Sequence, residues 1–234
     1  MTDVALIVGA GAGLSASLAR RCASRGMTVA LAARQVSKLD DLAAETHASV
    51  FECDASDAAQ VNNLFEALDT GPGAPNLVIY NPSYRQRGPF VELDPQEVLK
   101  TLMITCYGGF LVGQAAAKRM VDAGQGTNKR SILFTGASAS VKGYKHSAPF
   151  AMGKFGLRGL AQSMARELSP QNIHVAHFVI DGGIEREDDP RKDARGEDGL
   201  LDADAIAETY MHIHDQHRSA WSWEIELRPW VEPF

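Results

Sequence analysis

At 234 residues, with 45% hydrophobic and 22% charged side chains and a formal net charge of −6, the chain suits one sizeable α/β domain with a substantial core. The acidic balance and the lack of a basic block argue against nucleic acid or an anionic membrane as partners. No apolar run reads as long enough to span a bilayer. The three cysteines, Cys22, Cys53 and Cys106, show no metal or disulfide spacing and point to reduced thiols in a cytoplasmic protein.

The first predicted element is an apolar strand over 4–9. It leaves no room for a signal peptide within this sequence. It runs into Gly9-Ala10-Gly11-Ala12-Gly13-Leu14 and then a helix predicted over 13–25. A strand, a glycine turn and a helix N-terminus together make a site for a dinucleotide pyrophosphate. Gly9 is expected to permit the tight turn, Gly11 to let the backbone approach the phosphates, and Gly13 to let the helix pack closely on the strand. A second strand over 27–33 ends at Ala33-Arg34. An acid at that place would hold a free ribose 2′-hydroxyl. Arg34 instead offers a guanidinium for a 2′-phosphate, so NADP(H) is favoured over NAD(H).

Further strands are predicted over 49–53, 76–80, 131–135, 173–179 and 223–227, and helices over 36–46, 57–68, 95–123, 148–169 and 203–217. This alternation gives a doubly wound, Rossmann-type parallel sheet of about seven strands with helices on both faces, in a single domain over 1–234. The stretch Glu185 to Gly199 is highly charged and nearly free of apolar residues. It reads either as a solvated loop or as a mobile substrate lid. His212 and His214 point to opposite sides of the last helix, so no metal site is expected. The tail from Ser219 to Trp230 alternates, with Glu224 and Glu226 on one face and Trp223, Ile225 and Leu227 on the other. It reads as an edge strand or as an oligomer contact.

These pieces resemble the short-chain dehydrogenase/reductase family over nearly the whole chain. Val8-Gly9-Ala10-Gly11-Ala12-Gly13-Leu14-Ser15 is similar to the family's glycine motif, with Ser15 for the last glycine. Asp54-Ala55-Ser56-Asp57 resembles its acidic turn, which implies that Asp54 and Ala55 lie near the adenine. Tyr80-Asn81-Pro82-Ser83 stands where the family has Asn-Asn-Ala-Gly, keeping only Asn81 beside Pro82. Gly153-Lys154-Phe155-Gly156-Leu157 resembles the helix that carries the catalytic Lys. Asp181-Gly182-Gly183-Ile184 replaces the usual Pro-Gly, with Gly182 and Ile184 on the cofactor side. The resemblance also implies a homodimer or homotetramer.

The family's catalytic residues carry over unevenly. Lys154 is present, but Phe150 stands at the Tyr position, Ala137 at the Ser position and Thr105 at the Asn position. Carbonyl reduction needs a hydride and a proton, and Phe150 has no proton to give. Ser138, next to Ala137, is the preferred substitute. Ser140, Tyr144, His146 and Tyr84 are further polar candidates. Lys154 keeps the role of hydrogen-bonding the nicotinamide ribose. Three functions follow as alternatives. The first is an atypical NADP(H)-dependent oxidoreductase for a small carbonyl or hydroxyl compound. The second is a weakly catalytic NADP(H)-binding sensor. The third is a methyltransferase-like protein, which Arg34 argues against.

Overall fold

The computed structural model describes residues 3–124, 129–186 and 189–232. Seven strands form one sheet: β1 (Val4–Val8), β2 (Thr28–Ala33), β3 (Ser49–Glu52), β4 (Leu77–Tyr80), β5 (Ser131–Thr135), β6 (His174–Ile180) and β7 (Glu224–Leu227). Their order is β3-β2-β1-β4-β5-β6-β7, and every pairing is parallel. The predicted doubly wound sheet is therefore present, with β7 at one edge. Every residue of β1, β4, β5 and β6 is buried. Strands covered on both faces are mostly apolar, unbroken in β1 and β4 and interrupted only by Ser131, Thr135, His174 and His177 in β5 and β6, which is why they were legible.

Helices cover both faces. On one lie α3 (Ala58–Thr70), α5 (Gly108–Asp122) and α6 (Ala148–Leu168), burying Phe65, Val112 and Leu157 against Tyr80 and Phe134. On the other lie α1 (Leu14–Ser24) and α8 (Ala203–Asp215), burying Leu18, Ile206 and Tyr210 against Leu31 and Phe178. The Tyr210 and Phe178 rings stack at 3.6 Å. In α8, His212 is exposed while His214 is buried with Nδ1 2.8 Å from Ser131 Oγ, so the two do face apart. Two shorter helices are α2 (Asp40–Thr46) and α7 (Lys192–Arg195); α7 lies inside the charged stretch. Glu187 and Asp188 of that stretch lie outside the described residues.

The helix expected over 95–123 is not uniform. It divides into α4 (Pro95–Leu102), a π-wound turn over Met103–Tyr107, and α5. The Tyr80 hydroxyl donates to the Ile104 carbonyl inside that turn. The added residue of a π turn loosens the normal carbonyl pairing, and a polar partner then holds the opening. Joined through the turn, Pro95–Asp122 spans 28 residues at mean hydropathy 1.2, long and apolar enough by composition to cross a membrane. This corrects the sequence reading that no run reaches that length. The segment packs on α3, α6, β4 and β5, as a core helix does.

Candidate active site

The turn after β1 is built as a cradle. Gly9 has φ +78°, and its N–H and that of Ala10 both donate to the Ala32 carbonyl, at 2.9 and 3.1 Å. A Cβ on Gly9 would stand 2.7 Å from the Pro82 nitrogen, so both conformation and space require glycine there. Beyond Gly11 and Gly13 nothing lies within 4 Å of where a Cβ would be. Gly13 is therefore not a helix-packing glycine, as the sequence suggested. It is the N-cap of α1, at a cavity wall. Asp57, Asp94 and Asp202 cap α3, α4 and α8 with side-chain hydrogen bonds. At α1 no side chain caps the helix and no acid sits in its first turn. Free amides, a positive dipole end and open space beside them fit a phosphate group. Ser15 explains itself as well: its hydroxyl donates to the Gly9 carbonyl at 3.1 Å and accepts from Asn81 Nδ2 at 2.7 Å. Asn81 thereby ties the end of β4 to the turn.

Arg34 follows β2, whose Ala32 pairs with Val8, so its exposed side chain flanks the glycine turn. It makes no ion pair with a described residue. Asp54 follows β3; its Oδ1 accepts from the Ser56 N–H at 2.9 Å and hydroxyl at 2.6 Å. Ala55 is buried, and its carbonyl would lie 2.7 Å from a Cβ on Gly108. These residues and Pro82 sit at the carboxyl edge of the sheet, the edge where such folds bind ligands. Pro82 lies against Gly9 of the β1–α1 turn, and these residues are not among those lining the main cavity.

That cavity measures about 1270 Å³, above the roughly 300–1,000 Å³ of a common ligand pocket and so roomy enough for a cofactor and a substrate together. Gly13, Leu14 and Asn81 line one wall. Ala137, Ser138, Phe150 and Lys154 line another, and Gly182 and Ile184 a third.

A family model for short chain dehydrogenases matches residues 3–185. The chain belongs to the short-chain dehydrogenase family. It is 28% identical over 202 residues to a D-threitol dehydrogenase of Mycolicibacterium smegmatis, covering 82% of this chain and 76% of that one. A short-chain dehydrogenase from Rhodopseudomonas palustris of known structure is 34% identical and superposes with TM-score 0.80 over 97% of this chain and 99% of that one. An actinorhodin polyketide ketoreductase solved with NADPH shares the fold at 20% identity and TM-score 0.87, over 97% of this chain and 96% of that one.

In this short-chain dehydrogenase Lys154 is 2% exposed. Its ammonium donates to the Thr135 carbonyl at 2.7 Å. Burial, with the nearby Arg85 charge, pulls its pKa down to about 7. Phe150, one helical turn earlier, is buried, with its ring centroid 5.9 Å from Lys154 Nζ. Thr105 sits within the π turn behind α6; its Oγ1 accepts from the Tyr84 N–H at 3.3 Å. The Ala137 N–H donates to Ser140 Oγ at 3.1 Å, so the fully buried Ser140 holds the turn. Tyr84 is engaged as well, donating to Glu97 at 2.6 Å. Ser138, Tyr144 and His146 do face the cavity. The Ser138 hydroxyl also reaches Asp181. Burial raises that carboxyl, but Ser138, Lys142 and Arg228 outweigh it and hold the group below the usual range.

The segment 185–199 is fastened in its described part. Lys192 pairs with Glu185 at 2.6 Å, Arg191 with Asp189, and Arg195 with Glu232 at 2.7 Å. The sequence reading passed over the basic residues at the cavity, above all Arg85 and Arg87. The signal was present: Arg85 and Arg87 stand just beyond the Tyr80–Ser83 motif.

Proposed function

We propose that this chain is an NADP(H)-dependent oxidoreductase that interconverts a small carbonyl and its alcohol. The observation that carries the reading is one continuous cavity from the uncapped α1 N-terminus to the buried Lys154. When bound, the nicotinamide supplies or accepts the hydride. The Gly9–Leu14 turn and α1 hold the pyrophosphate, Arg34 the 2′-phosphate, and Asp54 and Ala55 the adenine end. Asn81, Gly182 and Ile184 form the walls toward the nicotinamide, and Lys154 hydrogen-bonds its ribose. Ser138, or a water it holds, orients the substrate oxygen. The NADPH held by the ketoreductase of the same fold supports the choice of cofactor. Arg34→Ala is expected to weaken NADPH binding at least tenfold and leave NADH unchanged in a fluorescence titration. Equal losses for both would remove the cofactor assignment.

The second reading, a weakly catalytic NADP(H) sensor, draws on Phe150 and Ala137, which deprive the site of two hydroxyls. Tight NADPH binding without turnover across a broad carbonyl panel would favour it.

A homodimer or homotetramer is part of the proposal. Leu99, Tyr107 and Phe110 on the α4–α5 rod and Met152 and Phe155 on α6 are exposed, and α4 packs beside α6. Grouped apolar side chains of this size mark an association surface. Sedimentation is expected to give at least twice the 25.2 kDa chain mass. Particles of single-chain mass at every concentration would exclude it.

A further inference from the structure

Arg85 lies in the loop after β4, and its guanidinium covers the Phe150 ring, with the central carbon 4.1 Å from the ring centroid. Arg85, Arg87, Lys145, Lys154, Arg186, Arg191 and Arg195 line the cavity. Two of them are neutralised, Arg191 by Asp189 and Arg195 by Glu232. Arg85 and Arg87 pair with no acid among the described residues. Burial, and then the like charge of Arg87, push the Arg85 pKa downward, and Arg85 in turn adds to the lowering at Lys154.

A net charge of −6 leaves ample acid on the chain. The two acids that line the cavity, Glu185 and Glu232, are paired with Lys192 and Arg195 rather than with Arg85 or Arg87. The Arg85 guanidinium and the buried Lys154 ammonium over one apolar ring, with Arg87 lining the same cavity, repel each other, and an anion would relieve that repulsion. The phosphate cradle at α1 does not answer for them, because it belongs to a different wall of the cavity. Arg85 also shares the Phe150 ring with Lys154, so a group bound to it lies close to the reacting end of the site. A planar guanidinium suits a carboxylate or phosphate better than any neutral oxygen.

We propose that Arg85, assisted by Arg87, is a specificity-determining residue that binds a carboxylate or phosphate on the substrate, a few bonds from its carbonyl. The substrate class is thus a short anionic carbonyl compound. This rests on the oxidoreductase reading for the carbonyl, but not for the anion.

Calorimetric titration of oxamate, inorganic phosphate and neutral oxamide into the protein, with and without saturating NADPH, tests it. Oxamate or phosphate is expected to bind the NADPH-loaded protein while oxamide does not. Arg85→Gln should weaken the anion at least tenfold, since a charge-assisted bond is worth about 1.5–3 kcal/mol, and Arg85→Lys should restore part of it. Oxamate alone would identify a carboxylate; phosphate alone, a phosphate. No anion binding, or equal affinity in Arg85→Gln with unchanged circular dichroism, overturns the proposal. Failure of NADPH to bind would instead sink the oxidoreductase reading, and Arg85-dependent anion binding without it would leave this one standing.

Discussion

Phe150→Tyr is expected to raise NADPH-dependent carbonyl reduction by about 10²- to 10⁴-fold, the usual worth of a positioned general acid. The backbone is already in place. Position 150 lies one turn before Lys154 on α6, and its ring centroid is 5.9 Å from the ammonium. Helix α6 is fixed against the π turn, because a Cβ on Gly153 would meet Thr105 Cβ at 2.9 Å. The new hydroxyl would sit among the positive charges of Lys154 and Arg85, which favour the phenolate and lower its pKa toward the working range. Loss of NADPH absorbance with a panel of oxo acids and ketones measures the gain. A variant that binds NADPH and stays folded but shows no gain would mean that substrate is not held within hydride reach of this wall.

The second large effect concerns Lys154 and pH. Burial lowers its pKa from 10.5 to about 7 in the folded protein. The unfolded chain therefore holds the extra proton between those limits. The contribution of Lys154 is favourable above pH 10.5 and is lost as pH falls to 7. At ~1.36 kcal/mol for each pH unit the window corresponds to roughly 5 kcal/mol. Cys22 and Cys53, raised by burial to about 12 and about 11, act oppositely and lose stability as pH rises. The comparison that isolates the lysine is therefore with Lys154→Met. The variant should be more stable than the native chain near pH 7, with the gap closing toward pH 10, while NADPH turnover falls. Denaturant unfolding of both proteins from pH 6 to 10 measures this. A constant difference across that range would show that the lysine is not desolvated.

All seven strands were legible to within about a residue: β1, β4, β5 and β6 because a parallel strand covered on both faces is mostly apolar, and the partly exposed β7 through its alternation. Gly9 was picked out by its place in the glycine turn after the first strand, and Asn81 and Lys154 through the family resemblance. Other features were hidden for identifiable reasons. The π turn at Met103–Tyr107 leaves the apolar pattern of 95–123 uninterrupted, so periodicity sees one helix. Helix α7 has four residues, too few for a period, and sits among the ion pairs of Glu185, Asp189 and Arg195. The true place of Gly13 depends on what is absent beside it, which no sequence states. Arg85 looks like any loop arginine until the fold sets it on Phe150, far along the chain.

The π turn carries a consequence of its own. Five residues wound this way amount to one more than a regular rod would need between Leu102 and Gly108. Excising one residue there would let the rod relax to even winding with nearly the same phase beyond it, because the wider turn spreads its extra residue over about the same rotation. Gly108 would keep its place against Ala55 and Tyr80, where no Cβ fits. What would go is the looser pairing that leaves the Ile104 carbonyl free for the Tyr80 hydroxyl: the surplus residue serves as a socket, not a swivel.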